Sequence, residues 1–180
     1  MSRYPIIPVE MLDEGMVIDN YWCECGKGPD VARGRFKESN KPDADWSDTR
    51  RCECNRDVEM SSQSFERFYR RLDTGEELGG SRHPHKVHAD LPAGCAYFQI
   101  DPAYAAEQSG PDGKCLVVVL PDGHHWYVDS TSSSNGRWKR KGSILDGTLD
   151  IKPSIRVGNP QTYHGHVNNG WLESTSDSPC

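Results

Sequence analysis

Two close cysteine pairs constrain this chain more than any other feature. Cys23-Glu24-Cys25 and Cys52-Glu53-Cys54 bracket a polar interval filled by Gly26, Gly28, Pro29, Gly34, Pro42 and several Asp residues. A connection of that length with no periodic pattern needs a constraint from outside itself. A structural zinc ion would supply one, because it takes four thiolate or imidazole ligands in a tetrahedron. Cys23, Cys25, Cys52 and Cys54 are therefore the expected zinc ligands. The one-residue spacer departs from the commoner two-residue spacer, and free thiols, disulfides or a redox centre are the other readings of the same four residues. Gly26 and Asn55 follow the two pairs, and both residue types tolerate the left-handed backbone of a knuckle turn. Four cysteines leave no open position, so the metal is expected to staple the fold rather than to catalyse.

The rest of the composition fits a chain that benefits from a staple. Its 180 residues suit one domain or two small ones. Only 34% are hydrophobic, and the mean hydropathy is −0.78. Either half alone would bury little apolar surface. The net charge of −6 argues against dense, non-specific nucleic-acid binding. No apolar run approaches the roughly 20 residues that cross a bilayer, so no membrane partner is expected. Met1-Ser2-Arg3-Tyr4-Pro5 is not a basic leader with an apolar segment behind it, and no secretion signal is read there. Seven cysteines in a reducing compartment point to metal more than to disulfides.

Along the chain, Pro5, Pro8 and Gly15 break the apolar residues of 1–22 into short strands. Phe65, Phe68, Tyr69 and Leu72 recur at helical spacing and predict an amphipathic helix over 62–72, capped by Ser61, Ser62 or Ser64 and ended by Gly75. Residues 76–94 read as a linker or surface loop with His83, His85 and His88 in it. Asp101-Pro102 opens a second, short helix through Glu107. Cys115 to Leu120 is a buried strand, turned by Pro121-Asp122-Gly123 into His124–Asp129. Another strand, broken at Pro153, fits 149–157, and Tyr163–Val167, Asn168-Asn169-Gly170 and Trp171–Glu173 form a second hairpin. Trp22, Trp126 and Trp171 are expected in the core. No internal repeat is apparent. The expected fold is α+β: a metal-stapled region over 1–75 with one amphipathic helix, a linker over 76–94, an antiparallel β-rich domain over 95–175 and a tail over 176–180.

Two other groups of residues are candidates for chemistry. His164 and His166 share a strand face, and His124 or His125 would join them if the hairpins met. Such a site would be open and suited to activating water, with Asp129 or Asp150 as acid or base. Ordinary surface or half-buried histidines are the plainer reading. Arg137, Trp138, Lys139, Arg140 and Lys141 form a compact basic stretch that could follow a phosphate backbone, although a solvated loop is the plainer reading. Cys115 is expected to pack as a small hydrophobe. There is no phosphate-binding glycine loop, nucleophile elbow or zinc-protease helix motif.

Ser109-Gly110-Pro111-Asp112-Gly113, Cys115-Leu116-Val117-Val118-Val119, Trp126 and Asp129-Ser130 occur in order, followed by Thr148-Leu149, Pro153-Ser154-Ile155, Tyr163-His164-Gly165 and Asn168-Asn169-Gly170. Over about residues 107–174 this resembles a small family of uncharacterised bacteriophage and prophage proteins. The family pattern has further cysteines between the hairpins, where this chain has Arg137 to Gly142. The resemblance implies a viral origin, a β-rich C-terminal half and a place in the host cytoplasm or the virion. The expected function is that of a non-enzymatic phage protein, zinc-stabilised, acting on a protein partner as a minor virion component or host-interaction factor. A metal-dependent hydrolase or nuclease using His124, His125, His164 and His166 is one alternative, and a nucleic-acid-binding module is another.

Overall fold

The computed structural model describes residues 1–37, 40, 45–78, 91–100, 108–130, 138–158 and 161–179. Thirteen strands occur among them: β1 (Arg3–Pro5), β2 (Ile7–Tyr21), β3 (Asp30–Lys37), β4 (Thr49–Arg51), β5 (Asp57–Arg71), β6 (Glu77–Leu78), β7 (Cys95–Phe98), β8 (Leu116–Val119), β9 (His125–Tyr127), β10 (Lys139–Lys141), β11 (Asp150–Val157), β12 (Tyr163–Asn168) and β13 (Trp171–Ser174). No α-helix occurs among the described residues. The short helix expected through Glu107, the histidines 83, 85 and 88, Arg137 and most of the expected linker lie outside the described residues.

The α+β expectation is overturned at residues 62–72, of which 62–71 belong to the 15-residue strand β5 and Leu72 to the turn after it. Phe68 and Tyr69 are buried, but Leu72, the last member of the expected apolar stripe, is 47% exposed. The serines read as helix caps bind the neighbouring strand instead. Ser61 Oγ donates to the Asn20 carbonyl at 2.9 Å, and Gln63 Nε2 donates to the buried Asp19 carboxylate at 2.7 Å. Phe65 meets Phe36 edge to face at 5.4 Å between centroids. Contacts from far along the chain therefore decide a segment whose local spacing favours a helix. Gly15 shows how close the strands come, since a Cβ there would sit 2.0 Å from the Glu66 carbonyl oxygen.

The described chain forms two compact units. One contains residues 1–11, 70–76 and 91–180, so the first strand belongs with the C-terminal half rather than with an N-terminal domain ending at 75. Its five-stranded sheet has the order β1-β13-β12-β11-β10, with antiparallel pairings throughout. Its second sheet has β7, β8 and β9 antiparallel, with the start of β2 parallel to β7. The core holds Leu116, Val118 and Trp126 from one sheet and Ile151, Ile155, Tyr163, Val167 and Leu172 from the other. The β12–β13 turn carries Asn169 and Gly170 at positive φ (43° and 76°), as a two-residue hairpin of this hand demands. β11 runs past Pro153 without ending, because a register shift between Ile151 and Ile155 accommodates the missing N–H.

The other unit contains residues 12–69 and 77–90. In it β2 pairs with β3 and lies beside β5, and β5 pairs with β4 and β6. Val17, Tyr21, Phe36, Met60 and Phe68 supply its buried side chains.

Candidate metal centre

Two tight turns, one between β2 and β3 and one between β4 and β5, build the centre. In the first, the Gly26 N–H donates to the Cys23 carbonyl at 2.8 Å; in the second, the Asn55 N–H donates to the Cys52 carbonyl at 2.8 Å. Gly26 and Asn55 both stand at positive φ, 74° and 70°. The turns bring Cys23, Cys25, Cys52 and Cys54 together, with all four sulfur atoms within 4.8 Å of one another. Cys23 Sγ lies 3.5 Å from Cys54 Sγ, and Cys25 Sγ lies 3.4 Å from both Cys23 Sγ and Cys52 Sγ. None of the four is in a disulfide. Cys23 and Cys52 are buried, and Cys25 and Cys54 are exposed.

The two turns are copies of one pattern. Cys-Glu-Cys followed by Gly or Asn and then a cation occurs at 23–27 and again at 52–56, twenty-nine residues later. The strands obey the same offset. Asn20 faces Asp30 across β2 and β3, and Thr49 faces Glu59 across β4 and β5. The second residues cross over: Arg56 pairs with Glu24 at 3.0 Å and Lys27 pairs with Glu53 at 3.6 Å. The chain thus carries a short internal repeat where none is expected from the sequence. Its signal was present in Glu24, Glu53, Lys27 and Arg56, which sequence reasoning passed over in favour of the cysteines alone.

Electrostatics within the cluster set Cys54 apart from Cys23 and Cys52. The Arg56 backbone N–H and the thiols of Cys23 and Cys25 donate to Cys54 and hold it down at about 7. At Cys52 the Cys54 N–H favours the thiolate, but burial and the three neighbouring thiols push it up to about 12. Cys23 is likewise raised, by the Cys25 thiol and burial, against the Cys25 N–H. Crowded thiolates repel, and a cation among them removes that penalty. These four cysteines can hold a metal ion, and they are the one group of three or more Cys, His, Asp or Glu residues arranged to do so among the described residues.

The histidines are placed otherwise. His124 Nδ1 lies 2.9 Å from Asp122, and His125 Nδ1 lies 2.8 Å from the Tyr97 hydroxyl. His164 Nδ1 lies 2.8 Å from Asp177. The rings of His164 and His166 are 6.4 Å apart, and no three of the four histidines share a ligand cluster. Asp129 is buried, accepting the Leu116 N–H at 3.0 Å and Arg140 Nε at 3.0 Å. Arg140 also reaches Asp112, so one member of the basic stretch is committed to an internal ion pair. Trp138 packs edge to face on Trp126 at 5.2 Å. Lys139 and Lys141 remain exposed. Asp150 accepts the Asn169 N–H in the hairpin turn. Cys95 and Cys115 are core residues, and burial pushes the Cys95 thiol up to about 11. Of the tryptophans expected in the core, Trp126 is buried and Trp171 lies under the Arg3 guanidinium. Trp22 is 67% exposed, which corrects the expectation for it.

No family model, curated protein or solved structure matches the chain.

Proposed function

We propose that the protein is a non-enzymatic bacteriophage protein in which Cys23, Cys25, Cys52 and Cys54 hold one structural zinc ion, and that it acts by binding a protein partner, either in the virion or in the host. The convergence of four sulfurs within 4.8 Å carries this reading. Sulfurs 2.3 Å from a common zinc ion in a tetrahedron lie about 3.8 Å from one another, close to the 3.4 and 3.5 Å separations here. An all-thiolate donor set suits a soft or borderline ion better than magnesium or calcium. Four protein ligands leave no position for a substrate or an activated water, so the ion would serve the fold.

Partner binding is supported by Trp22 and Trp46, which are 67% and 58% exposed in the same unit as the metal centre. Exposed tryptophans are enriched where protein interfaces concentrate their energy. The phage assignment rests on the resemblance of residues 107–174. Purified protein analysed for metal should contain one zinc per chain, and it should co-sediment with assembled particles or with a host protein, with Trp22→Ala weakening that association. A zinc-free, folded preparation would sink the metal reading. Failure to associate with either particles or host protein would sink the binding reading.

A further inference from the structure

We propose a second site, in the other unit: a phosphate-binding groove on the outer face of β10, β11 and β12, between Lys139 and Lys152. These lysines are Cα partners across β10 and β11, so their side chains stand side by side on one face of the sheet. Both are exposed. Among the described residues neither has a carboxylate at ion-pair distance, whereas Arg140 and Arg156 on the same strands both do. Two like charges directly opposite each other destabilise a sheet, and no acid from a neighbouring strand offsets this pair. Glu173 is engaged with Arg3 at 2.9 Å. Asp177 binds His164. Asp150 accepts the Asn169 N–H.

The lysines open onto a groove of about 540 Å³ that Ser154, His166 and Asn168 also line, with Ile151 and Pro153 as its apolar wall. Ammonium, hydroxyl, imidazole and amide groups are all hydrogen-bond donors. The register shift between Ile151 and Ile155 falls at Lys152 and Ser154, and such irregularities re-aim side chains out of the regular pleat. Asn168 Nδ2 already donates to the Glu173 carboxylate at 3.2 Å; the two cations with the Ser154 and His166 donors still match a phosphate dianion, which brings two charges and three terminal oxygens, better than a single carboxylate. No Phe, Tyr or Trp lines the groove, and the imidazole of His166 is its one aromatic ring, so a nucleobase finds little stacking surface there. The recognised group is the phosphate itself, free or as a monoester.

The test is a titration of ¹⁵N-labelled full-length protein with inorganic phosphate and, separately, with adenosine monophosphate, chloride holding the ionic strength constant. Saturable shifts of the Lys139, Lys152, Ser154 and His166 amides are expected with both. Tighter binding of the nucleotide would identify a monoester as the preferred form, and equal binding would identify the free ion as sufficient. Lys139→Gln and Lys152→Gln should each weaken binding by about tenfold. Lys141→Gln, whose residue faces Asp150, should leave it unchanged. The site is refuted if neither ligand shifts these amides, or if the shifts persist in the folded Lys139→Gln/Lys152→Gln double variant.

Discussion

Asp129 and Arg140 show how a residue chosen from sequence for one role can be held in another. Asp129 is 3% exposed and accepts hydrogen bonds from Arg140 and from the Leu116 backbone. Replacing it with Asn keeps the shape and removes the charge, leaving a largely buried guanidinium short of its partner. Breaking a buried pair from one side is costly, and the partial exposure of Arg140 tempers that, so Asp129→Asn should lose about 2 kcal/mol in urea denaturation. The crossed pairs around the metal centre behave differently. Glu24, Arg56, Lys27 and Glu53 are all well exposed, and exposed pairs contribute little. Arg56→Gln should therefore change zinc affinity, measured by competition with a chelator, by no more than about fivefold. Cys52→Ser removes a buried ligand and should abolish stoichiometric metal binding, read by elemental analysis, together with the folded signature of the surrounding unit in circular dichroism.

Among the elements, the turns were the most readable. Pro121-Asp122-Gly123 and Asn169-Gly170 announce hairpins because few other residues adopt the required backbone angles, and β8–β9 and β12–β13 form around them. The cysteine pairs were readable for a similar reason, since closely spaced thiols at both ends of a patternless stretch have few uses. The strand β5 was not readable. Phe65, Phe68 and Tyr69 sit at helical spacing, whereas the strand buries Met60, Glu66 and Phe68 along one face, and Glu66, a charged residue, is 5% exposed. What decides between the periods is pairing with β2, more than forty residues away, and nothing local encodes it. The crossing at Gly15 offers a check on that pairing. A Cβ there would lie 2.0 Å from backbone rather than from a pliable side chain, so Gly15→Ala must move a strand. It should cost about 2 kcal/mol in thermal or chemical denaturation.

For the whole molecule, acid should act in two separable steps. With the proposed zinc ion bound, the thiolates must take up protons as the metal leaves, so its release is expected as pH falls and should begin above the carboxylate range. The second step belongs to groups such as Asp112, where burial raises the carboxyl but Arg140 and the Lys114 N–H outweigh it and hold it below its ordinary value. A depressed carboxyl stabilises the fold fully above its unfolded value of about 4 and loses that contribution as pH falls through the folded value. Following released zinc with a colorimetric chelator and unfolding by circular dichroism in one titration should give two transitions, the metal first. The two-unit organisation itself was not legible, because residues 1–11 join the unit built from 91–180 and only the pairings of β1 with β13 and of β2 with β7 reveal it.

The twenty-nine-residue correspondence between the turns has a stoichiometric consequence. One hairpin carries two sulfurs, and two sulfurs cannot complete a tetrahedron. A peptide spanning β2, its turn and β3 would have to recruit a second peptide to satisfy the ion, giving a sandwich of two peptides to one metal. The intact protein avoids that concentration dependence by carrying both halves on a single backbone, so its metal affinity should be indifferent to dilution where that of the peptide is not.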